Sequence, residues 1–140
     1  MQSVPGLEGT TITVLTKERF ASAQNVPPRA IGALSLSSKL RGNSSAIDGL
    51  RQSGALRMLF PNGPDLTAMM INTSGGVTSG DQLSISSKAG EGSFLTVTTQ
   101  AAERAYRADD KAPGRINSSI TVEDRATFHW LPQELILFDG

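Results

Sequence analysis

The sequence contains no cysteine and only one histidine, His129. The first absence excludes disulfides, thiolate catalysis and every cysteine-based zinc or iron–sulfur site. The second leaves no imidazole pair, so a tight first-row metal site cannot be assembled from nitrogen and sulfur ligands. Acidic residues (13) and basic residues (13) balance, so no net field draws the chain to nucleic acid or to an anionic membrane. Neither partner is expected. No apolar run approaches the roughly 20 residues of a membrane-spanning helix, and the first thirty residues lack the pattern of a secretory signal. The expected compartment is the cytoplasm. No Gly-x-Ser-x-Gly motif is present, and the lone histidine lies between Phe128 and Trp130. A hydrolytic triad is therefore not expected, and the chain reads as a non-enzyme.

What is present is a texture of short apolar or β-branched runs separated by Gly, Pro, Asn and Asp, which predicts an all-β domain. Candidate strands are Ala33 to Leu40, Ala55 to Phe60, Leu66 to Asn72, Gln82 to Lys88, Ser93 to Thr98, Ile116 to Val122, Thr127 to Leu131 and Leu135 to Phe138. Residues 1–29, with Pro5, Gly6, Gly9 and Pro27-Pro28 around one strand-like run, read as a loosely held extension, and residues 30–140 as the β domain. Phe60 to Asp65 holds two prolines and Gly63, so it reverses the chain between two strands. Ala89 to Gly92 reads as a hairpin turn with Leu83, Ile85, Leu95 and Val97 on one face. Gln100 to Ala108 has helical propensity that competes with the β-prone Thr96 to Thr99. No fixed repeat period is evident. Three Asn-x-Ser/Thr triplets, beginning at Asn43, Asn72 and Asn117, carry no consequence without secretion.

The most informative stretch is Ser74-Gly75-Gly76-Val77-Thr78-Ser79-Gly80-Asp81. It is not a phosphate loop, because a Walker-type loop places Lys and Ser/Thr after its last glycine, where this chain has Asp81. One reading is a glycine-permitted turn in which Asp81 accepts nearby backbone N–H groups. The other is a functional carboxylate. Glu103 and Glu134 stand in similarly motif-like surroundings, and a solvated surface position is the default for both. His129 reads as a strand histidine, not a ligand. Pro132 confines its position to an edge, bulge or turn, and Trp130 reads as core packing.

Together, the Gly-Gly turn ending in Gly80-Asp81, the run Thr98-Thr99-Gln100-Ala101-Ala102-Glu103-Arg104-Ala105-Tyr106-Arg107 and the run Trp130-Leu131-Pro132-Gln133-Glu134 resemble, in this order, the first half of the UreD (UreH) family of urease accessory proteins. The resemblance spans about Gly32 to Gly140. It implies an all-β fold of short strands in an irregular β-helical or stacked-sheet arrangement. It implies a scaffold and nickel conduit that works with UreF and the GTPase UreG to deliver Ni²⁺ to apo-urease, with no tightly bound cofactor. Asp81 becomes a nickel-transit carboxylate, with Glu103 as a second one if the fold brings it toward Asp81; Gly75, Gly76 and Gly80 shape the turn, and Thr99, Gln100, Tyr106, Trp130, Pro132, Gln133 and Glu134 are motif or interface candidates. An oxygen ligand suits transit because it releases nickel more readily than thiolate or clustered imidazole. The chain departs from the family pattern at Met69 to Ser74, where a histidine often stands, and at Gln82, commonly a charged position. Family members run to about twice this length, so residues 30–140 are expected to be half of a domain, with Leu135 to Phe138 as an apolar edge. A binding module for a small polar ligand or carbohydrate, and a non-functional fragment, are the other readings.

Overall fold

A computed structural model describes residues 29–108 and 112–138. The strand-like run at Thr10 to Leu15 lies outside them. Among the described residues there are ten strands and no helix. They are β1 (Ile31–Arg41), β2 (Ser44–Gly54), β3 (Leu56–Leu59), β4 (Thr67–Asn72), β5 (Gln82–Ala89), β6 (Phe94–Thr99), β7 (Glu103–Tyr106), β8 (Arg115–Val122), β9 (Thr127–Leu131) and β10 (Leu135–Phe138). All eight expected strands are present.

They fall into three sheets with orders β2-β1-β5-β8, β3-β4-β6-β9 and β10-β7. The chain visits the sheets in rotation, β5 to β6 to β7 and then β8 to β9 to β10, each strand pairing in parallel with its equivalent one coil earlier. This is a β-helical coil. Gln82 lies opposite Arg115 and Phe94 opposite Thr127, offsets of 33 residues (115 − 82 and 127 − 94). The third sheet repeats at 32, Glu103 opposite Leu135. A period therefore exists that the sequence conceals. Inward positions do not repeat chemically, since Ile85 aligns with Ser118 and Ser87 with Ile120.

This topology corrects the expected hairpin at Ala89 to Gly92. β5 and β6 belong to different sheets, and the glycines turn a corner between them. Leu83, Ile85, Leu95 and Val97 still meet, but across the core between two sheets, each at most 2% exposed. Period-two alternation specifies which side chains turn inward and says nothing of which strand pairs with which. The helical alternative at Gln100 to Ala108 is also overturned, because Glu103–Tyr106 forms β7 and pairs with β10. Tertiary pairing outweighs a local propensity of a few tenths of a kcal/mol per residue.

β2 was not foreseen. Its sequence, SSAIDGLRQSG, is mostly polar and its residues are largely exposed, as befits an edge strand. Its signal is the dipeptide Gly42-Asn43, a two-residue hairpin loop with φ +62° at Gly42, as a type II′ turn requires. A register shift between Ser37 and Ser38, opposite Asp48, and the charges of Asp48 and Arg51 blunt this outer edge. At Gly54 the chain bends into β3, which caps the second sheet, so β2 and β3 close one end of the coil. The other end is the β8, β9 and β10 rung. There Leu135, Ile136, Leu137 and Phe138 are all exposed, Leu137 to 79%. The core runs between the first two sheets through Leu34, Leu36, Leu56, Ala68, Leu83 and Leu95, and Phe128 and Trp130 extend it one coil further beneath Leu95 and Val97.

Candidate functional site

The glycine turn links β4 to β5 and runs along the short third sheet, where Val77 bridges to Ala105. Gly75, Gly76 and Gly80 take φ of +79°, +145° and +75°, a region L side chains rarely adopt. Gly76 also lies under the Tyr106 ring, where an added Cβ would come within 2.5 Å of Cε2. At the end of the turn Asp81 is 3% exposed. Its Oδ1 accepts the Ala30 N–H (2.8 Å) and its Oδ2 the Thr78 N–H (2.8 Å). Its main chain is equally engaged, the N–H donating to Thr78 O (3.1 Å) and the carbonyl accepting from Arg115 N–H (2.8 Å). The local reading of the turn holds: Asp81 ties its own turn to the start of β1 and to the next coil.

Glu103 occupies a different corner, between the second and third sheets. Asn72 Nδ2 donates to both of its carboxylate oxygens (3.1 and 3.3 Å) and to the Gly76 carbonyl (3.2 Å). Asn72 is itself fixed, its Oδ1 accepting the Ser74 N–H (3.0 Å) and hydroxyl (2.5 Å). A cavity of about 230 Å³ lies here, lined by Asn72, Gly75, Gly76, Gln100 and Glu103 among others. Beside Gly75 an added Cβ would meet nothing within 4 Å. Glu103 is half-buried and its carboxylate takes hydrogen bonds from a single amide nitrogen, so acceptor capacity remains.

The two carboxylates thus stand apart, Asp81 closing one end of the turn and Glu103 lining the cavity at the other. Among the described residues no group of three or more His, Cys, Asp or Glu is placed to hold a metal ion. The other motif residues brace this corner. Thr99 Oγ1 donates to Ala101 O (3.1 Å) and accepts the Gln133 N–H (2.9 Å). The Glu103 N–H donates to Glu134 O and the Gln100 N–H to Met70 O. Tyr106 meets Phe138 edge-on, with centroids 5.6 Å apart. Trp130 packs against the core, and Pro132 follows the last residue of β9. His129 is exposed on the outer face of β9, edge-on to Phe94 at 4.8 Å. Asn72 and Ser74 escaped the sequence reading, although an Asn two residues before a Ser beside Gly-Gly is a recognised side-chain turn signal.

A second acidic depression, lined by Glu91, Glu123 and Asp124, is already engaged by cations, Glu91 by Arg125 and Glu123 by Lys88 (2.5 Å). Lys88, followed by the Glu91 N–H, holds the Glu123 carboxyl below its ordinary value. A depressed carboxyl contributes above its unfolded pKa and loses that contribution as pH falls through the folded one. On so exposed a pair the effect is expected to be slight, so Glu123→Gln should leave the pH dependence of unfolding near that of the parent in acid titrations.

Residues 30–140 fit the family described as UreD urease accessory protein. The chain belongs to the UreD family. It is 51% identical over 118 residues to the urease accessory protein UreD of Ruegeria sp. (strain TM1040), covering 83% of this chain and 40% of that one. To UreD of Roseobacter denitrificans it is 54% identical over 112 residues, 79% of this chain and 41% of the relative. To UreD of Ruegeria pomeroyi it is 48% identical over 109 residues, 76% and 42%. The chain therefore spans about two fifths of the length of these curated UreD relatives, and the matched part contains both the glycine turn and the Glu103 corner.

Proposed function

We propose that this UreD-family chain carries part of a non-catalytic scaffold that passes Ni²⁺ to apo-urease in the cytoplasm, in company with UreF and the GTPase UreG. The observation that supports the reading is the Glu103 corner: a half-buried carboxylate, oriented by Asn72, lining a cavity, within a motif of an accessory-protein family. One carboxylate beside neutral oxygen donors suits an ion that must be held briefly and released. The core itself offers no such path, because Leu34, Leu36, Leu83, Leu95 and Val97 fill it and a bare cation there would lack compensation. Of the two candidate transit carboxylates, Glu103 is the more accessible. Asp81, 3% exposed and held by two backbone N–H groups, meets an ion only if its turn opens.

The decisive experiment measures urease activity in cells lacking their own UreD, supplied with this chain or with a version of full family length. Activity from the long version alone is expected, with the short chain inactive. Glu103→Gln in the long version should lower activation on the order of tenfold or more, as loss of groups that hold a metal does elsewhere. Unchanged activation would remove Glu103 from the path. Sugar binding with indifference to nickel would favour the binding-module reading instead.

A further inference from the structure

We infer that Asp81 is a positioning residue for the Glu103 corner and not a ligand of the transported ion. The ion is taken from the nickel-delivery reading above; the positioning argument stands on geometry. Both carboxylate oxygens of Asp81 already accept backbone N–H groups at 2.8 Å, in a side chain only 3% exposed. A carboxylate in that setting has its charge dispersed over two charge-assisted hydrogen bonds, and at 3% exposure an ion reaches its remaining lone pairs only if the turn opens and those bonds are disturbed. No cluster of further ligands among the described residues offsets that cost.

The same bonds connect Asp81 to Glu103. Asp81 fixes Thr78 through its side chain and again through its own N–H, closing the turn. Next to Thr78, Val77 is held to the third sheet by its N–H to Arg104 O (2.7 Å) and by the Tyr106 N–H to its carbonyl (2.8 Å). One residue further back, the Gly76 carbonyl accepts from Asn72 Nδ2, the group that also orients Glu103. Gly114 packs against this segment, where an added Cβ would lie 2.6 Å from Val77 Cγ1, so the turn has no slack on that side. Thr78, Gly76, Asn72 and Glu103 thus form a continuous series of hydrogen-bonded or adjacent groups. Loss of Asp81 reaches the cavity by loosening the turn.

The test uses the isotopically labelled 140-residue chain by NMR, with Asp81→Asn and Glu103→Gln. In Asp81→Asn the amides of Ala30 and Thr78 should exchange about tenfold faster or more, the loss expected for a charge-assisted bond. The Glu103 amide and Asn72 side-chain amide signals should shift as well, a response that local loosening at Asp81 alone would not produce. Titrating Ni²⁺ into the parent chain should broaden signals around Glu103 and Asn72. This broadening should vanish in Glu103→Gln and need several-fold more Ni²⁺ in Asp81→Asn. Broadening centred on Asp81 in the parent chain would overturn the inference, as would unmoved Glu103 and Asn72 signals in Asp81→Asn. Shifted signals without any broadening by Ni²⁺ would sustain the positioning role while sinking the nickel reading. If Asp81→Asn does not fold, the titration of the parent chain decides the matter, since it needs no variant.

Discussion

Leu95→Ala is expected to destabilise the chain by roughly 2–5 kcal/mol, the range for truncating a fully buried leucine. Leu95 is 0% exposed at the start of β6, in a core cluster that also holds Leu83 and Ile85 of the first sheet and, one coil on, Phe128. β6 is gripped on both flanks, by β4 and by β9, so its backbone cannot collapse into the space without breaking two parallel ladders. The cavity term therefore adds to the lost transfer term. Domains of this size typically hold about 5–15 kcal/mol in total, so one substitution removes a large share of the margin. Urea denaturation followed by circular dichroism should show the midpoint falling with an unchanged slope. Leu137→Ala is the control. At 79% exposure Leu137 buries little, and its replacement should stay within about 0.5 kcal/mol. Equal losses at the two positions would mean that the inward and outward faces of the coil are wrongly assigned.

Inward and outward faces were legible in the sequence because Leu83 and Ile85 of β5 and Leu95 and Val97 of β6 recur at every second residue, the period of a half-buried strand. Pairing was not legible. A corner between two sheets and a hairpin within one both need a short glycine-bearing turn, and Ala89 to Gly92 satisfies either. What decides for the corner is non-local: Gly90 N–H donates to Ser38 O and Gly92 N–H to Asp124 O, so this turn is itself a rung between coils. The 33-residue period stayed hidden because Ser118 replaces an inward Ile85 and the first coil is interrupted by β2 and β3, which pair back antiparallel onto β1 and β4. β7 was masked by Glu103, Arg104 and Ala105, whose propensity favours helix, and the bonds that hold it extended come from its parallel partner β10, 32 residues away, and from the Val77 bridge.

The candidate site was half legible for a related reason. The glycines and Asp81 announce a tight turn, and tight turns have local chemistry that sequence spacing reports. The Thr78 bond, three residues from Asp81, belongs to that local chemistry. The Ala30 bond, 51 residues away, does not. Asn72 and Glu103 are 31 residues apart and meet only because the second and third sheets share a corner. Their pairing follows from the coil and could not precede it. Family resemblance singled out Asp81, with Glu103 as a second ligand should the fold bring the two together, but the fold gives them unlike surroundings, one carboxylate enclosed by backbone donors and the other open to a cavity.

Gly76→Ala tests that corner most directly and should be the most damaging change at the site. Its φ of +145° lies outside the regions open to alanine, which alone costs on the order of 1–3 kcal/mol. The new methyl would also sit 2.5 Å from Tyr106 Cε2 and 2.8 Å from the Arg104 carbonyl. The ring can swing away, since Tyr106 is 39% exposed, but the carbonyl accepts the Val77 N–H and cannot move without breaking that bridge. Overpacking of this kind adds about 1–3 kcal/mol. The turn should therefore detach from β7, carrying with it the Gly76 carbonyl that anchors Asn72 and leaving Glu103 without its orienting amide. Hydrogen exchange should report lost protection at Val77 and Tyr106, and urease activation by a full-length version should fall with it. Gly75→Ala separates strain from space: it meets no atom within 4 Å and bears only a φ of +79°, so it should cost about 1–2 kcal/mol and keep the Val77 bridge. If both variants behave alike, backbone strain governs this turn. A markedly worse Gly76→Ala would make the close approach of Tyr106 and Arg104 the feature that requires glycine.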